Sequence, residues 1–289
     1  MSLGRVAAVI ARASGLAAAG ERGEHLRRRV AGYVRTHGAA ALESLLARAE
    51  RGEAAAIEEL RNQLAVNYTY FWREPEHFQI LLEHLITQLR KKVSAGGTAR
   101  PSLRLWSAGC ASGEEAWSMA IVVAEARRIA GIDAEVEILA TDIDTEALAL
   151  ARAASYREEV LQQLPDDLRA RYLSPGGTAA TRRWAVTDAL RGMVRCARLD
   201  LLAAAWPECE TGRRFDAIFC RNVMIYFSES ARYHLFERFA ALVRADGLLV
   251  LGQVEGGLDR AEPYFRPCGG SVYLPGKSAR RSGDDEEHS

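Results

Sequence analysis

The feature that most constrains this chain is the alternation that begins after Pro101. Short apolar runs at residues 103–107, 136–141, 194–199, 215–220, 248–252 and 272–274 read as strands. Between them, residues 114–130, 145–154 and 229–243 carry helical spacing. A strand that must pair in parallel with the next needs a crossover, and a helix is the compact way to make one. The pattern therefore predicts an α/β domain: a mostly parallel sheet with helices on both faces.

The rest of the chain is organised around that domain. Residues 1–93 are rich in Ala, Leu, Arg and Glu, with Leu42, Leu45, Leu46 and Ala49, then Ile57, Leu60 and Leu64, at spacings of three and four. That spacing predicts an all-helical N-terminal domain. Residues 94–101, small and polar and closed by Pro101, read as a linker. The sheet domain runs over 102–275, and the charged tail 276–289 is expected to be disordered. One stretch breaks the strand–helix rhythm. Residues 161–173 look helical, and after Ser174-Pro175-Gly176-Gly177-Thr178 the sequence alternates over 184–188. It reads as a small helix and a β-hairpin inserted into the sheet domain, an antiparallel β-subdomain over about 172–197.

Composition excludes several classes. Thirty-eight basic residues balance 38 acidic ones, so no global charge draws the chain to nucleic acid or a membrane surface. The apolar run at residues 6–10 is cut by Arg12, short of the roughly 7–15 residues of a signal-peptide core. No run approaches the ~18 apolar residues of a membrane span. The five cysteines (Cys110, Cys196, Cys209, Cys220 and Cys268) show neither CxxC nor metal-ligand spacing, which fits reduced core thiols and no metal site. A soluble, cytoplasmic monomer is the expectation.

Four segments carry candidate chemistry. The first strand runs into Ser107-Ala108-Gly109-Cys110-Ala111-Ser112-Gly113-Glu114-Glu115. A strand, a glycine-containing loop and a helix N-terminus form a nucleotide-binding turn, since small residues let backbone approach a ligand closely. There is no GxGxxG, which argues against a nicotinamide dehydrogenase, and no P-loop lysine. Glu114 and Glu115 suit a cationic ligand, although they equally complement the helix dipole. The second strand ends at Asp142, placed to accept the hydroxyls of a ribose, although Asp is also a common helix cap. A third strand runs into Arg221-Asn222 and then an apolar–aromatic loop containing Tyr226. Ligands of open α/β sheets bind beyond the carboxyl ends of the strands, so Arg221 and Asn222 belong to that crevice. The fourth segment, Asn67-Tyr68-Thr69-Tyr70-Phe71-Trp72-Arg73-Glu74, brackets four aromatic residues with Asn67, Thr69 and Arg73, more polarity than packing alone requires.

Together these segments resemble the chemotaxis receptor methyltransferase (CheR-type protein-glutamate O-methyltransferase) family. NYTYFWRE, RLWSAGCASGEEAWSMAI, ATDIDTEAL and FDAIFCRNVMIYF stand in the family's order, followed by DGLLVLGQVEG and GGSVYL. The resemblance implies a class I (Rossmann-like) methyltransferase domain binding S-adenosyl-L-methionine, whose product is S-adenosyl-L-homocysteine. It also implies a helical N-terminal domain and an inserted β-subdomain. By the same resemblance Asn67, Thr69 and Arg73 reach over the cofactor from the N-terminal side. Gly109, Asp142, Asp200, Leu201, Arg221 and Asn222 line its pocket, together with one of the adjacent Glu114 and Glu115.

The implied substrate is a glutamate on a chemoreceptor's cytoplasmic helical bundle, so the protein would meet a membrane only through the receptor. Arg27, Arg28, Arg29 and Arg35 lie in one basic segment that would dock such an acidic bundle. A glutamate is already ionised at neutral pH and needs no base. Arg73 is expected to orient it, and Tyr226 to donate an O–H or shape the wall near the methyl group. Two other readings remain open: a methyltransferase of the same fold for small carboxylic acids, and a non-catalytic adaptor that senses the cofactor.

Overall fold

The computed structural model describes residues 22–53, 55, 56, 59, 69–94, 100–178, 182–207, 209, 211–224, 227–255, 261 and 263–276; the side chains of 22–29 and 254 are outside that description. The expectations for Asn67, Tyr226, the tail from 277 onward and the side chains of Arg27, Arg28 and Arg29 therefore fall outside the described residues. Among the described residues no helix is long and apolar enough to cross a membrane.

The large sheet has seven strands. Its parallel part comprises β1 (Ser102–Ala108), β2 (Glu135–Asp142), β6 (Val194–Arg198), β7 (Phe215–Cys220) and β8 (Val243–Leu251). Beyond β8, β9 (Phe265–Gly269) and β10 (Val272–Pro275) close one side antiparallel, giving the order β6-β2-β1-β7-β8-β10-β9. All six residues of β7 are buried and so are six of seven in β1, because central parallel strands are covered on both faces. That is why their sequences read as continuous apolar runs rather than as alternation.

The crossover helices begin and end where the chain permits. Helix α4 (Glu114–Ala130) lies between Gly113 and Gly131, both in the left-handed region. Helix α5 (Thr145–Ala153) is capped by Asp144, whose carboxylate accepts the amides of Glu146 and Ala147. Ser228 does the same at the Ala231 amide for α8 (Glu229–Leu242).

Two N-terminal helices, α1 (Arg22–His37) and α2 (Ala39–Glu50), close a core of their own around Val30, Tyr33, Leu42, Leu45 and Leu46. Helix α3 (Pro75–Ser94) does not share it. Its Phe78, Leu81, Leu85 and Leu89 stand in the sheet's core with Leu103, Leu105 and the α4 residues Met119, Ile121 and Val123. Each such side chain, fully buried, stabilises the fold by about 1.5–3 kcal/mol.

Charges fasten α3 to the amino edge of the sheet. Lys92 Nζ donates to Asp216 Oδ1 and to the Ser102 carbonyl, both at 2.6 Å. The other Asp216 oxygen accepts the Arg104 amide at 2.8 Å, and Arg104 Nε donates to Glu137 at 3.0 Å.

The insertion is a three-stranded antiparallel sheet in the order β3-β5-β4: β3 (Ser155–Arg157), β4 (Leu173–Gly176) and β5 (Arg183–Val186). It takes one strand from upstream of 172, while Val194–Arg198 belongs to the large sheet. The expected helical stretch 161–173 resolves into a 3-10 turn, Glu158–Leu161, and a short α6, Asp166–Tyr172. A brief α7, Asp188–Arg191, follows β5. Glu125 on α4 ties the insert down, accepting from Arg171 and Tyr172 at 2.6 Å each and from its own helix's Arg128. Although burial opposes its charge, these three donors hold its carboxyl down at about 2.

Candidate active site

The chain leaves β1 in one direction, to β2 and β6, and returns to lay β7 on β1's other side. A crevice opens at such a reversal, beyond the carboxyl ends of the two strands. The candidate residues lie around this point.

The first loop is shaped by glycine and by Asp142. Gly109 has φ +86°, and a Cβ there would run into the Val223 side chain. Gly109 and Cys110 both donate to the Thr141 carbonyl, at 2.8 and 2.9 Å, which folds the loop over the end of β2. Asp142 then accepts the Ala111 amide on one oxygen (2.8 Å) and the Asp144 amide on the other (2.9 Å). Burial pushes the Asp142 carboxyl up and these amides pull it back. The helix cap falls to Asp144, so Asp142 keeps lone pairs directed at the crevice loop.

The two adjacent glutamates diverge. Glu114 is buried and accepts from a local hydroxyl, Ser112 Oγ, at 2.8 Å, and burial raises its carboxyl to about 7. Glu115 accepts from Ser107 Oγ at 2.7 Å and pairs with Arg221 Nη1 at 3.4 Å. Burial also raises Glu115, against the pull of Arg221 and Arg73. Glu115, Arg221 and Arg73 thus form one electrostatic cluster.

Arg221 is its hub. The side chain is 2% exposed, stacked near the rings of Phe78 and Phe219 at 5.4 and 5.8 Å. It pairs with Glu74 as well as Glu115, and donates from Nη2 to the Arg73 carbonyl. Its Nε–H is buried with no partner, an incomplete set of the kind that marks a binding site. The next residue, Asn222, stands at φ 60°, held through its amide by Glu255 (2.7 Å). The buried Glu255 carboxylate also accepts the Gly252 amide at 2.8 Å, and a Cβ on Gly252 would lie 2.5 Å from Asn222 Nδ2.

On the β6 side, Leu199 donates to the Asp142 carbonyl (3.0 Å), which brings Asp200 and Leu201 beside the loop. Asp200 Oδ1 accepts the Leu202 amide at 2.8 Å, and Leu201 is buried in the core of Trp106. From the N-terminal side comes the strap of residues 69–74. Phe71 donates to the Val160 carbonyl (2.8 Å) and the Trp72 amide to Ser118 Oγ (3.1 Å). Thr69 in this strap is half-buried.

Trp72 and Glu74 sit at φ 63° and 57°, Ala111 at 48° and Asn222 at 60°. Left-handed backbone costs a non-glycine residue roughly 1–2 kcal/mol. Four of the six such residues described flank this crevice, so the strain is concentrated where a ligand would sit. Arg35, by contrast, is exposed on α1. Sequence reading passed over Glu74, Ser107 and Glu255. The one signal for Glu255 was its position just past an apolar strand, in GQVEG.

The CheR methyltransferase, SAM binding domain family matches residues 67–274. A probable chemotaxis protein methyltransferase of Rhizobium etli is 34% identical over 220 residues, covering 76% of this chain and 79% of that protein. Chemotaxis protein methyltransferase 2 of Pseudomonas aeruginosa is 38% identical, covering 74% of this chain and 71% of its own. The chemotaxis protein methyltransferase of Escherichia coli is 35% identical, covering 75% and 70%. The crevice between β1 and β7 therefore lies in an S-adenosylmethionine-binding domain, and the chain belongs to the CheR methyltransferase family.

Proposed function

We propose that this protein transfers a methyl group to glutamate side chains on the cytoplasmic helical bundle of bacterial chemoreceptors, forming glutamate methyl esters. The observation that carries the reading is the cluster of Arg73, Arg221 and Glu115 at the crevice, which offers cations to an acceptor carboxylate and acids to a cationic cofactor.

The residues present fit S-adenosylmethionine. The Gly109 backbone, which tolerates no side chain, forms a close-approach loop. Asp142 retains acceptor capacity for ribose hydroxyls. Glu115, the glutamate joined to the cluster, suits the ammonium group, and the unpartnered Arg221 Nε–H suits a carboxylate. Asp200, Leu201 and Asn222 complete the wall, with Thr69 approaching from the strap. Glu114, turned to Ser112, is left out of this pocket.

When bound, S-adenosylmethionine supplies an electrophilic methyl group on a sulfonium. The acceptor glutamate, with an ordinary carboxyl near 4.3, is already an anion at neutral pH. The protein need not remove a proton; it must orient the carboxylate and exclude water. Arg73 orients it through charge-assisted hydrogen bonds. Holding the reactants aligned supplies several kcal/mol, of the order of 7–11 in favourable systems. Arg35 and its neighbours on α1 steer the acidic receptor toward the crevice.

The test is transfer of radiolabelled methyl groups to receptor-containing membranes and, in parallel, to small carboxylic acids, with mass spectrometry of the labelled protein. Base-labile esters on receptor glutamates are expected. Label on small acids alone would replace the receptor as substrate, and failure to bind S-adenosylhomocysteine would make the protein an adaptor.

A further inference from the structure

The strap of residues 69–74 must be held in an unfavourable backbone shape, since both Trp72 and Glu74 lie in the left-handed region. Glu74 is the residue that holds its end. Its Oε2 pairs with Arg221 Nη2 at 3.2 Å, accepts the Gln253 amide at 3.3 Å, and lies 3.2 Å from His77 Nδ1. Its carbonyl accepts the His77 amide at 3.1 Å, at the start of α3. His77 is itself buried and fixed through Nε2 to the Gly270 carbonyl at 2.6 Å, in the β9–β10 turn.

One carboxylate thus joins the strap to β7, to the loop after β8 and, through His77, to the antiparallel edge. The same guanidinium nitrogen that pairs with Glu74 also donates to the carbonyl of Arg73. Two consecutive residues of the strap are therefore clamped on one rigid fork, and the direction of the Arg73 side chain follows from that clamp.

We propose that Glu74 is a positioning residue for methyl transfer, acting through Arg73 rather than on the cofactor. The inference rests on the reading that Arg73 orients the acceptor carboxylate. Arg221 keeps Glu115 as a counter-charge when Glu74 is neutralised, so the pocket retains its charge while the strap loses its anchor.

Glu74→Gln, with Glu74→Asp as a second variant should the first fail to fold, tests this in the full chain. Three quantities are measured: S-adenosylhomocysteine affinity by calorimetry, kcat for receptor methylation, and amide hydrogen exchange over residues 69–74. The expected result is affinity within about threefold of wild type, kcat down by about 10–100-fold, as for a small misplacement of a reacting group, and faster exchange confined to the strap. Unchanged exchange overturns the proposal whatever the acceptor proves to be. So does a parallel loss of affinity and kcat, which would place Glu74 in the cofactor pocket. Faster strap exchange in a protein whose wild type methylates no receptor upholds the anchoring and sinks the substrate reading instead.

Discussion

At the amino edge of the sheet, Asp216 divides its oxygens between Lys92 and the Arg104 amide, and Arg104 reaches Glu137. At the carboxyl edge, Arg221 is as deeply buried, yet it shares its charge between Glu74 and Glu115 and leaves Nε–H unpartnered. Both edges bury charge at the ends of β7, Asp216 near its start and Arg221 just past its end. The difference is in what completes the sets: protein groups at one edge, an unpartnered Arg221 Nε–H at the other. Backbone strain follows the same division, gathering at Ala111 and Asn222 rather than near Arg104.

The comparison breaks most visibly at Asp216. Asp216→Ala removes a buried carboxylate from a half-buried lysine and from the buried Arg104 amide, so it should cost about 3 kcal/mol of stability, read as a lower urea midpoint. The kcat of the folded fraction, measured in the cold, should stay close to wild type. Arg73→Ala is the mirror case: kcat should fall by about a hundredfold, close to 2.7 kcal/mol, with an unchanged melting temperature. Near-wild-type turnover there would remove the division between the edges.

Glu114 sharpens it. Its carboxyl titrates near 4.5 when unfolded and at about 7 when folded, because burial disfavours the anion. Between those values the native state holds the proton more tightly, so stability declines as pH rises through this window. Glu114→Gln should therefore raise stability more at pH 8 than at pH 5, by about 2–3 kcal/mol, read as a larger rise in melting temperature at the higher pH. A gain that did not grow with pH would show that this helix N-terminus carries no ionisation penalty.

Much of this architecture was legible in the sequence. The strands around Leu105, Leu139 and Ile218 announced themselves as apolar runs because central parallel strands have no solvent face. Gly109, Asp142 and Arg221 were picked out because ligands of such sheets bind beyond the strand ends, and the structure places all three at the carboxyl ends of β1, β2 and β7. Strand β9 was missed: Arg266, Pro267, Cys268 and Gly269 are exposed, so no periodicity marks it. The partnership of α3 was equally silent, since an amphipathic helix does not declare which core its apolar face will enter. Glu74 and Glu255 were missed for a related reason. Their roles depend on partners more than a hundred and some thirty residues away, respectively, and no local pattern encodes those.

The place of β7 has a consequence in time as well as space. It lies beside β1 in the middle of the sheet, yet it is synthesised after β2, the insert and β6. Arg221, which gathers Glu74 and Glu115, arrives with it. A ribosome that has released the chain through β6 has delivered the glycine loop and Asp142, but neither the second wall of the crevice nor the cation that organises it. The crevice therefore gains its second side only once β7 has been synthesised, and a chain interrupted before that point lacks both that strand and Arg221.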